Sequence, residues 1–325
     1  MKAVIVFFQI AAIIALPAGC HDRQRAEYVL LLGHLANEQD IWHRSALHFA
    51  EKVDTYSNGR VKVRVYPSEQ LGKEQELIRS IRAGIVHLTI TGETLQNWAG
   101  AAAFCAVPYL IRDSEHLNKT VNGPPGKRIA GEITEAARLR PLAYFERGPR
   151  NLTSNRPIRS PSELQGVILR VPNVPIFVKT WSELGAKTTP MTISELFTAL
   201  QQGTVEAQEN PLALIHSAGL YEVQRYVNLT EHVIGWVYLT IGEESFQALP
   251  EELQQALVMA GRDTEIFHAS TFREEEQHLH EVLEQKGMIF IQTDREAFRR
   301  AARNAVLSAL PVELQSLYFE IDSIR

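Results

Sequence analysis

Short apolar runs alternate with longer amphipathic stretches along most of this chain, and that alternation narrows the folds open to it. Residues 28–36 (YVLLLGHLA) read as a strand, and the next stretch places Ile41, Ala46, Phe49 and Val53 at helical spacing before ending at "SNG". Residues 60–67 (RVKVRVYP) alternate strictly, as a half-buried strand does, and 73–84 (KEQELIRSIRAG) read as a short helix with a glycine stop. "IVHLTIT", "RPLAYFE", "GVILRVP" and "GTVEAQENP" continue the series of strands. The pattern predicts an α/β fold rather than a helical bundle or a sandwich. No internal repeat or low-complexity tract interrupts it.

One segment breaks the rhythm. From 250 to 286 there is no further proline after Pro250 and one glycine, Gly261. Pro250 and the early Glu251 and Glu252 are helix-start signals. The segment is expected to form one helix long enough to cross two domains, or two helices broken near Gly261.

The chain has 325 residues, enough for two domains; 45% are hydrophobic and 22% charged, which fits a soluble globular protein. The net charge of −5, without a basic tract, argues against a nucleic-acid partner. Residues 1–20 (MKAVIVFFQIAAIIALPAGC) carry one early lysine, a short apolar run and then small residues. This reads as an export signal, since the run is shorter than the ~20 residues of a spanning helix. "LPAGC" resembles a lipobox, although Pro17 stands where leucine is usual. Cys20 is therefore expected to become a lipidated N-terminus, with ordinary cleavage nearby as the alternative. Cys105, the one remaining cysteine, is expected in the core, with no intramolecular disulfide.

Polar residues gather where the apolar strands end: His34 after "LLLG", Glu93 after "LTITG", Arg150 after "AYFERGP", Arg170 in "GVILR" and Asn210 in "AQEN". If the strands run parallel, these ends face one crevice. Arg170 carries two readings, a solvated arginine on an edge strand or a guanidinium at the carboxyl end of a buried strand. Two guanidiniums in a crevice can grip a carboxylate through bidentate bonds, and Asn210 adds an amide. Each of these residues alone would more often be a surface ion pair or loop cap; it is their joint placement that points to a site.

Enzyme signatures are lacking. "GPPGKR" has neither P-loop spacing nor a preceding strand, and His278 and His280 face different sides of a helix. Neither a nucleophile elbow nor a zincin motif occurs, so no catalysis, cofactor or metal site is expected.

The stretch "RGPRNLTSNRPIRSPSELQGVILRVPN", followed by "LGAKTTPMTISELFTALQQGTVEAQENPLALI", resembles the substrate-binding proteins of TRAP transporters, which include the C4-dicarboxylate and sialic-acid binders. "GRVKVRVYPSEQLGKEQELI", "AFCAVPYLIRDSEH", "NLTEHVIG" and "LPEELQQAL" are similar to further family signatures, so the resemblance spans nearly the whole mature chain. It implies a periplasmic two-domain clamp with a hinge and a long helix spanning both domains. The lobes would comprise 26–148 plus about 236–275, and 149–235 plus about 276–310, with 311–325 as a C-terminal segment. It also implies Arg170 as the main carboxylate-binding arginine, Arg150 as the second, and Asn210 as their helper. Glu93 and Glu74 match acidic positions that contact hydroxyl-bearing ligands. Leu35 stands where the sialic-acid branch has asparagine, and "VEAQENP" carries Glu206 and Ala207 where an aspartate before "GQENP" is common; the first difference argues against sialic acid itself.

The function expected is a solute receptor that delivers a carboxylate-bearing solute to the small and large membrane subunits of a permease. A sugar acid such as a uronate or aldonate is favoured, with a C4-dicarboxylate or 2-oxo acid as the alternative ligand. A ligand-sensing module uncoupled from transport is the alternative role.

Overall fold

The computed structural model describes residues 26–325; the expected export signal at 1–20 and Cys20 lie outside the described residues. Three strands, β1 (Tyr28–Gly33), β2 (Val61–Tyr66) and β3 (Leu88–Thr91), run parallel in the order β2-β1-β3. Helices α1 (Ile41–Tyr56) and α2 (Glu74–Arg82) connect them. Asp40 starts α1 by accepting the Trp42 N–H at 2.9 Å, and the buried stripe of Ile41, Ala46, Phe49 and Val53 is the one the spacing predicts. After β3 come two short 3₁₀ segments, Glu93–Asn97 and Gly100–Ala106, and then α3 (Ser114–Asn122) and α4 (Pro124–Glu132). Cys105 is buried and unpaired, as a small core residue.

A second parallel set follows the same logic. Strands β5 (Ile168–Val171), β6 (Lys187–Pro190) and β7 (Ala207–Pro211) lie in the order β7-β5-β6. Helices α5 (Pro175–Glu183), α6 (Ile193–Gln201) and α7 (Leu212–Ser217) link and cover them. β5 thus has a neighbour on either side, and Arg170 belongs to an interior strand, not an edge.

Two long strands join the sets. β4 (Leu139–Ser154) and β8 (Tyr226–Gly242) pair antiparallel with each other, β8 also with β3 and β4 also with β7. The sheet is therefore mixed, and one expectation fails: Arg150 does not end a parallel strand. β4 continues through it to Ser154, because the run after "AYFE" stays paired despite Pro149. The ladder shifts register between Arg147 and Arg150 and again before Leu152, and Glu231 on β8 adopts a positive φ of 38° nearby. Proline cannot donate to a ladder, so a bulge absorbs it and bends both strands at one level.

Past β8 lie α8 (Glu243–Gln247), α9 (Glu251–Gln285), β9 (Ile289–Gln292), α10 (Arg295–Ala309) and α11 (Val312–Asp322). α9 is continuous over 35 residues, about 52 Å at 1.5 Å per residue. Gly261 does not break it. A Cβ there would come within 2.5 Å of the Leu142 carbonyl oxygen, so glycine permits helix and β4 to touch. The first half of α9 gives Leu253, Leu257 and Ala260 to an apolar cluster with β1, β3 and α1; its end gives Leu279 and Leu283 to a separate cluster with α6 and α7. No residue between His268 and Leu279 is buried, so the helix bridges two cores. The fold is α/β, in two lobes around one sheet.

Candidate functional site

A cavity of about 320 Å³ opens between the two parallel strand sets. Arg150, Arg170, Asn210, Glu93 and Glu74 all line it. His34 does not. It is buried, with Nε2 3.2 Å from His43 Nδ1, and burial together with His43 holds its pKa down to about 3. Its neighbour Leu35 lines the cavity instead. The end of β1 does reach the site, but residue 34 itself turns into the protein.

Arg170 is 4% exposed and donates from Nε and Nη2 to the Met191 carbonyl oxygen at 3.0 and 2.6 Å. Those bonds use two of its five N–H groups and set the plane of the fork. No carboxylate approaches it within ion-pair distance among the described residues. Burial lowers its pKa to about 10, opposed by the more distant Glu209 and reinforced by Arg150.

Arg150 is placed differently. Its Nε and Nη2 donate to both oxygens of Glu209 at 2.5 and 2.7 Å, and its guanidinium lies 5.0 Å from the Phe177 ring. Glu209 is fully buried and also accepts from His232 Nε2 at 2.9 Å. Burial alone would raise the pKa of Glu209, but Arg150 and His232 outweigh it and bring it to about 2. The charge of Arg150 is thus matched from behind before any ligand arrives.

A third guanidinium, Arg147, completes the wall. It donates to Glu93 Oε1 and Oε2 at 2.9 and 3.2 Å and sits over the Trp42 ring at 5.3 Å. Burial works to raise the Glu93 pKa, yet Arg147 and Arg150 hold it below the usual carboxylate value. Arg147 escaped the sequence reading because the strand was ended at Glu146. The signal was there, two arginines three apart around Gly-Pro, but only the bulge turns both inward. Glu209 was missed for a similar reason, lying unremarked beside Asn210.

Glu74 begins α2 and accepts from the Thr91 and Thr94 hydroxyls at 2.6 and 2.7 Å. Burial, then the charge of Glu93, raises its pKa to about 7. Asn210 donates to Gln208 Oε1 at 2.6 Å and keeps its amide oxygen free for the cavity. The site combines guanidiniums with acidic acceptors in one cavity. Such a lining can hold a carboxylate through its guanidiniums and hydroxyls through its acceptors.

Comparison with known proteins fits this arrangement. The family model for bacterial extracellular solute-binding proteins, family 7, of the DctP type, matches residues 32–310. A solute-binding protein of Roseobacter denitrificans is 49% identical over 291 residues, 90% of each chain. The crystal structure of that TRAP periplasmic protein holds L-galactonate; it superposes with a TM-score of 0.90 at 48% identity, covering 92% of this chain and all of the other. The 2,3-diketo-L-gulonate-binding periplasmic protein of Escherichia coli is 30% identical over 282 residues, 85% of each chain. A TRAP solute-binding protein of Polaromonas sp. JS666, bound to D-erythronate, gives a TM-score of 0.87 at 28% identity, covering 92% of this chain and 99% of the other. The matched span takes in both parallel strand sets, the two long strands and α9, so this chain belongs to the DctP family of TRAP solute-binding proteins, two-domain clamps that bind organic acids.

Proposed function

We propose that the protein is a periplasmic receptor for a sugar acid, an aldonate in the first place, and hands it to the small and large membrane subunits of a TRAP permease. The observation that carries the reading is the guanidinium of Arg170, without a carboxylate partner, in a cavity also lined by Glu74 and Glu93. Arg170 would take the ligand carboxylate, with Asn210 and the Nη1 N–H groups of Arg150 beside it. Glu74 and Glu93 would accept from ligand hydroxyls. Two of the similar proteins hold aldonates, L-galactonate and D-erythronate, in their crystal structures. No catalytic role is assigned to any cavity residue.

The lobes are assigned as 26–148 plus about 236–275, and 149–235 plus about 276–310, with 311–325 apart. The bulge between Arg147 and Arg150 and the two apolar clusters along α9 support this division. Export to the periplasm and a lipid anchor through Cys20 rest on residues 1–20 and would be tested by intact mass. Ligand identity is tested by mass spectrometry of the acid that co-purifies, followed by calorimetric titration with L-galactonate, D-erythronate, D-galacturonate, succinate and pyruvate. Binding of the sugar acids ahead of the other two is expected. Tighter binding of succinate or pyruvate would replace the sugar-acid reading with the C4-dicarboxylate or 2-oxo acid one.

A further inference from the structure

Counting charge around the cavity leads past the ligand class to a rule about ligand charge. Four guanidiniums line it: Arg150 is matched by Glu209, Arg147 by Glu93, and Arg79 stands exposed on α2, bonded to Gln75 Oε1 at 3.4 Å. On the rim, Lys73 is matched by Glu195 at 2.9 Å. Of the two buried guanidiniums, Arg150 and Arg170, Arg170 is the one without a carboxylate within 4.0 Å among the described residues. Glu74 has no cation in contact; its two oxygens are held by threonine hydroxyls. We propose that the site accepts one ligand carboxylate and rejects a second, and that Glu74 is the residue that enforces the rejection.

The inference rests on the sugar-acid reading and sharpens it. A sugar monoacid presents a carboxylate to Arg170 and a terminal hydroxymethyl to the acidic wall, where Glu74 can accept its hydroxyl hydrogen. The diacid of the same carbon skeleton replaces that hydroxymethyl with a second carboxylate. It then offers no donor, and it meets the charge of Glu74, which has no cation in contact. Like charges a few ångströms apart in a partly desolvated site cost enough for roughly a 100-fold loss of affinity. Reorienting the diacid does not help, because its two ends carry the same charge.

The experiment is calorimetric titration at pH 8 with matched pairs: galactonate against galactarate, and gluconate against glucarate. The better-bound monoacid should exceed its diacid by about 100-fold in the wild type. Glu74→Gln removes the charge while keeping the shape; it should weaken the monoacid, strengthen the diacid and narrow the ratio at least tenfold. Glu93→Gln, which also releases Arg147, should narrow it as well. The wild-type ratio decides even if a variant fails to fold. Monoacid and diacid binding within threefold of each other in the wild type would overturn the charge rule while leaving the sugar-acid reading in place. An unchanged ratio in Glu74→Gln would overturn the role of Glu74. A protein that binds no sugar acid would remove both the reading and the rule.

Discussion

Arg170 and Arg150 have the same side chain and stand in the same cavity, yet their surroundings give them different roles. Arg170 is held by one carbonyl oxygen and has no carboxylate partner among the described residues, which is why it is proposed to take the ligand carboxylate. Losing one partner of a desolvated, hydrogen-bonded charge pair costs about 2–5 kcal/mol. Arg170→Ala should therefore weaken sugar-acid binding by about 30-fold or more, and Arg170→Lys should recover only part, since an ammonium lacks the planar fork. The melting temperature of the free protein should change little, and titrations run beside melting curves check both statements. A variant that binds normally but melts far lower would make Arg170 structural. Glu209→Ala should behave in the opposite sense. It strands Arg150 and His232 in a buried place, and breaking such a pair costs about 3–5 kcal/mol of stability, readable in urea unfolding.

At the scale of elements, α9 meets β4 at the bend. Glu276 lies so close to Gly148 that a Cβ there would fall 2.6 Å from its carboxylate oxygens, and Glu276 Oε2 has no hydrogen-bond partner. Burial, then the charge of Glu146, raises its pKa from 4.5 to about 7. The folded protein therefore binds this proton more tightly than the unfolded chain. The stability it contributes is complete below about pH 4.5 and is lost as pH rises through about 7. Glu276→Gln should accordingly stabilise the protein at pH 8 by about 1–3 kcal/mol and have little effect at pH 4.5. Chemical unfolding of both proteins at the two pH values reads the difference. An equal effect at both would mean that the carboxyl does not titrate in this window.

For the whole molecule, the lobes touch at several points, two of them at the cavity mouth. Lys73 pairs with Glu195 across it, the Ser217 hydroxyl donates to Asp40 Oδ2 at 2.9 Å, and Gln75 reaches the Asn173 carbonyl oxygen at 3.3 Å. These contacts join segments far apart in the chain and form only when the lobes are close together. A ligand that binds both walls favours that closed arrangement over an open one, and the bulged β4 and β8 are where the bend would fall. Small-angle scattering should show the radius of gyration fall when a saturating sugar acid is added. A radius that stays constant at saturation would mean that the clamp does not move.

Local pattern was enough to establish the α/β alternation, the stripe of α1, the start of α9 and the polar residues at strand ends, because strand and helix periods are written into neighbouring residues. It also marked Arg170 and Asn210, which lie at the ends of short buried strands where a polar residue interrupts an apolar run. The antiparallel course of β4 was not legible, since the partner of a strand is chosen by segments some ninety residues away. Nor was the inward turn of Arg147, which depends on a register shift. His34 was misjudged because a residue that follows a strand can face either way, and only packing against His43 decides which. The pairing of charges was likewise beyond local pattern. Composition counts arginines and glutamates, but only the folded sheet brings Glu209 to Arg150 and Glu93 to Arg147 and leaves Arg170 without a carboxylate partner, because a buried charge is neutralised by whatever the fold puts within a few ångströms of it.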